Sequence, residues 1–98
     1  MKSIRLSRQA SLDVDEIYLY GLINFGEDQA DVYLAKIKNC LKTLKANSEI
    51  GRLDTRVNPA IRRFDFERHV IFYDINDTEI LIVRIIHCSM DFLRHLNL

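Results

Sequence analysis

Glycine is scarce in this chain, with three residues in 98. Loops that cradle the phosphates of a nucleotide need several closely spaced glycines, so the sequence contains no glycine-rich phosphate-binding loop. The short signatures GxSxG, HExxH and CxxC are also missing, and these mark serine hydrolases, zinc peptidases and zinc or redox sites. The sequence therefore indicates no recognisable enzyme class, no cofactor and no metal site.

Cysteine and long apolar runs are rare as well. The two cysteines, Cys40 and Cys88, are isolated in the sequence, which is typical of buried small hydrophobes and not of a secreted disulfide scaffold. No stretch approaches the roughly 20 apolar residues of a membrane span, and the polar residues 1–5 are unlike a signal peptide. We expect a cytoplasmic protein without a membrane segment.

The chain has no excess of either charge, since 14 Lys and Arg residues balance 14 Asp and Glu residues. Proteins that bind free nucleic acid usually carry net positive charge, because phosphate contacts supply most of their non-specific affinity. Direct nucleic-acid binding is therefore not expected. The length and a hydrophobic content of 48% predict one folded domain over residues 1–98. A domain this small buries only roughly 60–65% of its unfolded surface, so a partner that covers apolar surface would stabilise it.

Two amphipathic helices are predicted after a short strand at residues 2–6. The first begins between Ser7 and Ser11, which are both suitable N-caps, and it ends at Gly26, because glycine readily takes the left-handed conformation after a helix. The second follows within a few residues, with acids near its start and lysines toward its end, as the helix dipole favours. Two such helices joined by a short turn predict an αα-hairpin. Their apolar stripes are Ala10, Val14, Ile17 and Gly21 in the first helix, and Ala30, Tyr33, Leu34, Ile37, Leu41 and Leu44 in the second.

The hydrophobic period changes to two in the second half of the chain, after a loop at residues 46–61. Strands are predicted at residues 63–66, 69–75 and 80–86, linked as a three-stranded antiparallel meander. The order of elements predicts an α+β fold in which the helical hairpin packs on one face of a sheet. Because residues 80–86 are apolar on both faces, we place them in the middle of the sheet. Its other face then needs a second cover, either the C-terminal tail from Ser89 or another protein chain.

Arginine supplies every positive charge in the loop-plus-sheet half. Its planar fork of donors suits carboxylate or phosphate, so these residues form either a groove for RNA or an acidic peptide, or solvated charges offset by nearby acids. Arg84 differs because it interrupts an apolar strand, and a buried arginine needs a partner. It either opens into a functional cleft or pairs with an internal acid, and we favour the cleft. The arginines are Arg52, Arg56, Arg62, Arg63, Arg68 and Arg84, and the nearby acids are Asp54, Asp65, Glu67 and Asp74.

Histidine is the only side chain here that would titrate near neutral pH as a general base. His69 precedes a predicted strand and His87 ends one, but the sequence shows no obvious carboxylate that would orient either ring. For both residues we favour a histidine that is hydrogen-bonded in or near the core, and we expect His95 to be exposed. The histidines therefore do not predict catalysis.

Six segments, taken in order and spacing, resemble the ParE branch of the RelE/ParE toxin superfamily. Each segment alone is common, whereas all six together are fairly specific, and the similarity runs from about residue 3 to residue 94. The segments are DVDEI at 13–17, FGEDQADVY at 25–33, EIG at 49–51, RF at 63–64, HVIFY at 69–73 and IVRIIHCSMD at 82–91.

The resemblance implies the toxin component of a type II toxin–antitoxin system. It further implies two helices against an antiparallel sheet, DNA gyrase as the target, and a block of DNA replication. A cognate antitoxin similar to ParD would wrap around the toxin in a hetero-oligomer and neutralise it. The candidate residues for binding the target or the antitoxin are Arg62, Arg63, Arg84, His87, Met90, Asp91 and Phe92.

Two alternatives stay open. RelE-like relatives cleave mRNA in the ribosome, and Arg62 or Arg63 together with Arg84 would stand where their sheet arginines do. Two features of those nucleases are missing, because residues 53–61 contain no lysine and no tyrosine follows Tyr73. Cleavage also needs a base and an acid, so the nuclease is the second choice. The other alternative is a member that binds an antitoxin but has no target.

Overall fold

The computed structural model describes residues 2–91 and 94, and these form two helices packed on a mixed five-stranded sheet. The predicted α+β fold, with its N-terminal strand, helical hairpin and three-stranded meander, is confirmed. The strands lie in the order β1-β5-β4-β3-β2 across the sheet. The elements are β1 (Ser3–Leu6), α1 (Arg8–Phe25), α2 (Glu27–Ala46), β2 (Arg52–Asp54), β3 (Ile61–Phe66), β4 (His69–Ile75) and β5 (Glu79–His87).

Two features of the sheet differ from the sequence prediction. The predicted loop contains a short strand, β2, which pairs antiparallel with β3 at the edge of the sheet. The sheet is also not purely antiparallel, because β1 pairs parallel with β5, from Ser3 opposite Glu79 to Leu6 opposite Ile82. Strand β5 therefore lies between β1 and β4, which confirms its predicted interior position.

The helix ends follow the predicted caps. The Ser7 hydroxyl accepts a hydrogen bond from the Ala10 backbone N–H at 3.0 Å and so caps α1. Gly26 separates the two helices with a φ of 91°, which L-residues with a side chain rarely adopt. Neither helix in the described part of the chain is long and apolar enough to cross a membrane.

The main core lies between the hairpin and the sheet. The helices contribute Ala10, Ile37, Cys40 and Leu44, all buried, and the sheet contributes fully buried residues from β4 and β5. Burial raises the pKa of the Cys40 thiol to about 11, so this cysteine is an inert core residue, as the sequence predicted. Cys88 is exposed, and the prediction that it is buried was wrong. The sheet residues of this core are Ile71, Tyr73, Ile80, Ile82 and Ile85.

A second, smaller core lies on the opposite face of the sheet. Ile61, Val70, Phe72 and Ile86 are buried there, and Val57 from the β2–β3 loop packs against them. The loop therefore supplies part of the second cover that the apolar strand required. The candidate Phe92 and the histidine expected to be exposed, His95, lie outside the described residues, as does most of the tail that was expected to cover this face.

An irregularity in β5 changes which of its apolar residues face the main core. Phe72 pairs with Arg84 and the next residue, Tyr73, pairs with Ile82, so Val83 is the extra residue of a β-bulge. The bulge shifts the alternation by one position, and Ile82 and Ile85 both join the main core. Bulges redirect side chains, and this bulge lies beside Arg84, directly after Ile82, the last β5 residue that pairs with β1.

Candidate functional site

An open groove of about 760 Å³ lies between the helical hairpin and the end of β5. We call it the hairpin–β5 groove. Its helical wall carries Ile17, Tyr20 and Tyr33, and its sheet wall carries residues 84–87. Strand β1 pairs with β5 only as far as Ile82, so the last residues of β5 continue past their neighbour and border the groove.

A salt bridge between Asp13 and Arg84 ties the two walls together. Arg84 donates from Nε and Nη2 to the two carboxylate oxygens of Asp13, each at 2.8 Å. The Ile85 backbone N–H donates to the same carboxylate at 2.9 Å. Asp13 is only 7% exposed, and the hydrogen bond to its carboxylate is the main cause that raises the pKa of Arg84. The single Asp13 carboxylate therefore fixes both the Arg84 guanidinium and the Ile85 backbone amide at the end of β5.

Both possibilities raised for Arg84 are therefore met, since it lines the groove and also pairs with an internal acid. The sequence prediction favoured the cleft and did not name the acid. Asp13 had a visible signal, because it lies three residues after Ala10 and four before Ile17, on the buried face of α1. An acid within an apolar stripe, matched by an arginine within an apolar strand, predicts such a pair.

The two histidines of the groove are held by neighbouring hydroxyl groups. His69 Nδ1 lies 2.6 Å from the Tyr33 hydroxyl, and burial is the main cause that lowers the pKa of His69 to about 4. His87 Nδ1 accepts from the Ser89 backbone N–H at 3.1 Å and lies 2.7 Å from its hydroxyl. Because that N–H can only donate, the neutral His87 ring carries its proton on Nε2. The prediction of hydrogen-bonded histidines near the core describes His69 well.

The histidine rings meet edge to face, with their centroids 5.4 Å apart. His69 is neutral at pH 7, because its pKa of about 4 is far below that value. Neither ring bonds a carboxylate among the described residues, and the nearby acid Asp13 is committed to Arg84. The groove therefore offers two polar rings that can donate or accept hydrogen bonds, without the oriented acid–base pair that general catalysis uses.

A network of ion pairs away from the groove includes three arginines of β2, β3 and the loop between them, which are Arg52, Arg56 and Arg63. Arg63 is within 3.4 Å of Asp54 and 2.9 Å of Asp65, and its guanidinium stands over the Phe72 ring. Arg56 also pairs with Asp54 at 2.6 Å, and this hydrogen bond is the main cause that lowers the Asp54 pKa to about 2. Of the two interpretations offered for these arginines, the structure shows charges offset by neighbouring acids.

Arg62 has a structural partner in the loop before β2. It donates to the Gly51 carbonyl at 2.7 Å. The Gly51 N–H donates to the Tyr73 hydroxyl at 2.9 Å, and that hydroxyl donates to the Ser48 carbonyl at 2.8 Å. A Cβ on Gly51 would collide with the Tyr73 hydroxyl and the Arg63 carbonyl, so glycine is required there by close approach.

Comparison with known proteins decides the family. Residues 4–92 match the model of a family described as ParE toxin of type II toxin–antitoxin system, parDE. The chain belongs to the ParE toxin family. Toxin ParE1 of Caulobacter vibrioides is 31% identical over 97 residues, covering 99% of this chain and 100% of that protein. Toxin ParE1 of Mycobacterium tuberculosis is 32% identical over 92 residues, covering 93% and 94%.

A solved structure agrees with this assignment. A chain of the chromosomal ParDE TA system from P. aeruginosa superposes with a TM-score of 0.78 at 28% identity, covering 89% of this chain and 96% of that one. The resemblance noted in the sequence is therefore confirmed at the level of the ParE family and its fold.

The candidate residues of this ParE-family chain fall into two groups. Arg84, His87 and Met90 line the hairpin–β5 groove, and the exposed Asp91 follows them directly. The other group, Arg62 and Arg63, lies on β3 and does not line the groove. Sequence reasoning missed the helical wall: Tyr33 looks like an ordinary core position of its apolar stripe, whereas the signal at Asp13 was present but not used. Within the described residues, no group of three His, Cys, Asp or Glu could hold a metal.

Proposed function

We propose that this toxin acts by binding: it inhibits DNA gyrase, blocks DNA replication in the cytoplasm, and is neutralised by a ParD-like antitoxin docked in the hairpin–β5 groove. The observation that carries the binding role is the groove, an open and largely apolar surface in which Asp13 and Arg84 hold each other and both histidine rings are hydrogen-bonded by neighbouring residues. Gyrase and the antitoxin's identity are inferred from the family. The chemistry of the groove supports binding and gives no support to a reaction.

The groove supports a peptide-sized occupant. Three large apolar side chains stand at its mouth, with Tyr20 61% exposed and Phe25 and Met90 each 49% exposed. A groove with exposed apolar anchors is how proteins receive an amphipathic helix. The β5 edge beyond Ile82 also borders it, so an added strand is a second way for the same antitoxin segment to dock. In either form, the segment would cover apolar surface that a small domain leaves in water.

Hydrogen exchange tests the docking site. With excess antitoxin, backbone amides in residues 80–91 should gain protection, because the partner covers the end of β5. The outward lysine positions 38–45 of α2 are the internal control and should not change. Protection confined to residues 38–45 would mean that the antitoxin binds the outer face of α2, and the groove would lose its assigned role.

Purified components test the target. With gyrase and supercoiled plasmid, the toxin should cause gyrase-bound, cleaved DNA to accumulate, and antitoxin added first should prevent it. The parallel sample contains translating ribosomes and a defined mRNA, and the mRNA should stay intact. An unchanged gyrase reaction would remove gyrase as the target without affecting the docking proposal, since the two measurements are separate.

A ribosome-dependent mRNA endonuclease is the alternative, and one observation favours it. The rings of His69 and His87 lie 5.4 Å apart at the groove, and paired histidines are common acid–base catalysts. Against it stands the His69 pKa of about 4, which leaves no protonated acid at neutral pH in that ring. If the ribosome sample shows cleaved mRNA, and His87→Ala abolishes the cleavage while thermal stability is kept, the alternative replaces the gyrase proposal.

A further inference from the structure

The helical hairpin lacks positive charge over a long stretch of chain. Residues 9–35 contain no Lys or Arg but six acids, Asp13, Asp15, Glu16, Glu27, Asp28 and Asp31. Asp13 is neutralised by Arg84, whereas the other five are exposed and form no ion pair with any of residues 2–91 or 94. A protein with no net charge therefore presents one strongly acidic region, formed by α1 and the start of α2.

An exposed apolar stripe runs through this acidic region. Leu12, Leu19 and Ile23 are 45%, 55% and 74% exposed. At 3.6 residues per turn these three positions lie within about 40° of one another around α1, and they extend over about 17 Å of the helix. None of the three lines the hairpin–β5 groove, so the apolar part of the stripe lies beside that groove and not within it.

Glu16 completes the stripe. The positions 12, 16, 19 and 23 are spaced four, three and four apart, which is the spacing of the buried seam between two packed helices. Asp15 flanks the same stripe on the outer side of the helix. A helix laid along the seam would enclose Glu16, and a buried carboxylate is strongly unfavourable unless the partner supplies a cation.

We propose that this seam, Leu12, Glu16, Leu19 and Ile23, is a docking surface for a basic amphipathic helix of a partner protein. Apolar residues of the partner would pack on Leu12, Leu19 and Ile23, and a Lys or Arg would meet Glu16. The charge decides the class of partner, because the surrounding carboxylates repel nucleic acid and anionic lipid. The seam adjoins the hairpin–β5 groove at Glu16, which lines that groove, whereas Leu12, Leu19 and Ile23 lie outside it. The proposal does not depend on gyrase as the target.

A second copy of this chain does not fit the same description. Its own basic helical face, at Lys38, Lys42 and Lys45, lies on α2, where Val32 is the only large apolar side chain that is exposed. Val32 lies on the N-terminal half of the helix, away from the lysines. Self-docking would therefore pair the charges without supplying apolar residues for the stripe, so a separate basic helix is the better match.

Two synthetic peptides provide the probe. The first is an amphipathic helix of about 20 residues, long enough to form in water, with Leu at the seam positions and Lys on both flanks and opposite Glu16. The second replaces each Lys by Glu. Fluorescence anisotropy of the labelled peptides against the whole toxin should show saturable binding of the basic peptide, weakened by salt, and no binding of the acidic one.

Matched variants locate the binding. Leu19→Ser should weaken binding of the basic peptide roughly tenfold or more, since it removes one buried leucine contact. Glu16→Gln should weaken the same binding roughly two- to fivefold, as the loss of one charge pair does. The controls are Leu53→Ser, at a leucine of nearly equal exposure (56% against 55%) on β2, and Asp77→Asn in the β4–β5 turn. Both control variants should bind the basic peptide within about twofold of the parent affinity.

Several outcomes would overturn the proposal. Equal binding of the basic and acidic peptides would show that charge does not select the partner. Equal loss in Leu19→Ser and Leu53→Ser, or no loss in either, would show that the seam is not the site. Concentration-dependent dimerisation of the toxin that Leu19→Ser abolishes would assign the seam to a second copy. Thermal melts of each variant identify any loss that comes from unfolding, and Glu16→Gln supplies an independent surface variant in that case.

Discussion

The sheet and the helical hairpin handle their charges in opposite ways. In β2 and β3, arginines and carboxylates alternate closely, and Arg63 alone contacts Asp54 and Asp65. In residues 9–35 of the hairpin, exposed acids accumulate without cations. Paired charges keep a surface neutral and stabilise the fold modestly, whereas uncompensated charges weaken stability but set up a field that selects partners. The hairpin is therefore the half of the molecule where charge is available for recognition.

The Asp13–Arg84 pair is where the two halves meet, and breaking it should give the largest effect. Arg84→Ala leaves a nearly buried carboxylate without its cation, which costs about 3–5 kcal/mol in similar buried pairs. Lys42→Ala, on the solvated face of α2, is the control and should change the free energy of unfolding by less than about 0.5 kcal/mol. Urea unfolding measures both. Equal effects would mean that the hairpin and sheet are not joined through this pair.

The double variant Asp13→Ala/Arg84→Ala sharpens the same test. It removes both charges, so it should be less destabilised than the sum of the single variants, because no unpaired charge remains. Any loss of toxicity in Arg84→Ala has to be read together with its unfolding curve. If the variant is folded at the assay temperature and still inactive, Arg84 contributes to binding as well as to stability.

The close contact at Gly51 tests the sheet half, with the next largest effect. Gly51→Ala places a methyl group against the Tyr73 hydroxyl and the Arg63 carbonyl, and such overpacking costs typically about 1–3 kcal/mol. Ser48→Ala is the control, because Ser48 takes part through its backbone carbonyl and not through its side chain. Urea unfolding should separate the two variants. A neutral Gly51→Ala would show that the loop before β2 can shift freely.

Local features of the fold could be predicted from the sequence, whereas features that depend on pairing between distant segments could not. Ser7 and Gly26 were found because a cap is a local event, read from one residue and its neighbours. Strand β2 was missed because three residues among loop formers have no measurable period, and their strand geometry comes from pairing with β3. The parallel pairing of β1 with β5 and the bulge at Val83 are equally non-local. The Asp13–Arg84 pair was half predicted, because an internal acid was one of the two possibilities raised for Arg84, while the signal that marks Asp13 as that acid was not used.

Acid titration should distinguish a titrating group at the groove, His69, from one in the ion-pair network of the sheet, Asp54. His69 has a folded pKa of about 4, below the ordinary value of about 6.5, so the unfolded chain binds more protons between these values. Its contribution to stability is therefore complete above pH 6.5 and is lost as pH falls toward 4. Asp54, with a folded pKa of about 2, acts later, since its contribution is lost as pH falls from about 4 to 2.

Urea midpoints at pH 7, 5 and 3 measure this sequence of losses. His69→Gln should flatten the change between pH 7 and pH 5, because the titrating ring is gone, and should leave the change below pH 4 in place. Asp54→Asn should do the reverse. A slope between pH 7 and 5 that survives in His69→Gln would show that another group is responsible for it.

The smallest expected effect divides the acids of the hairpin by their role. Glu27 and Asp28 occupy the first turn of α2, where negative charge interacts favourably with the helix dipole by about 0.3–1 kcal/mol each. Glu27→Gln/Asp28→Asn should therefore lower the free energy of unfolding. Asp15 and Glu16 lie in the interior of α1, where the dipole offers little and like charges repel. Asp15→Asn/Glu16→Gln should leave stability within about 0.5 kcal/mol of the parent or raise it.

Chemical denaturation at low and high salt measures both pairs of substitutions, and salt should shrink both differences in the free energy of unfolding. If neutralising Asp15 and Glu16 destabilises the fold as much as the first-turn pair does, these acids serve the helix itself, and their place beside the exposed leucines needs no partner to explain it.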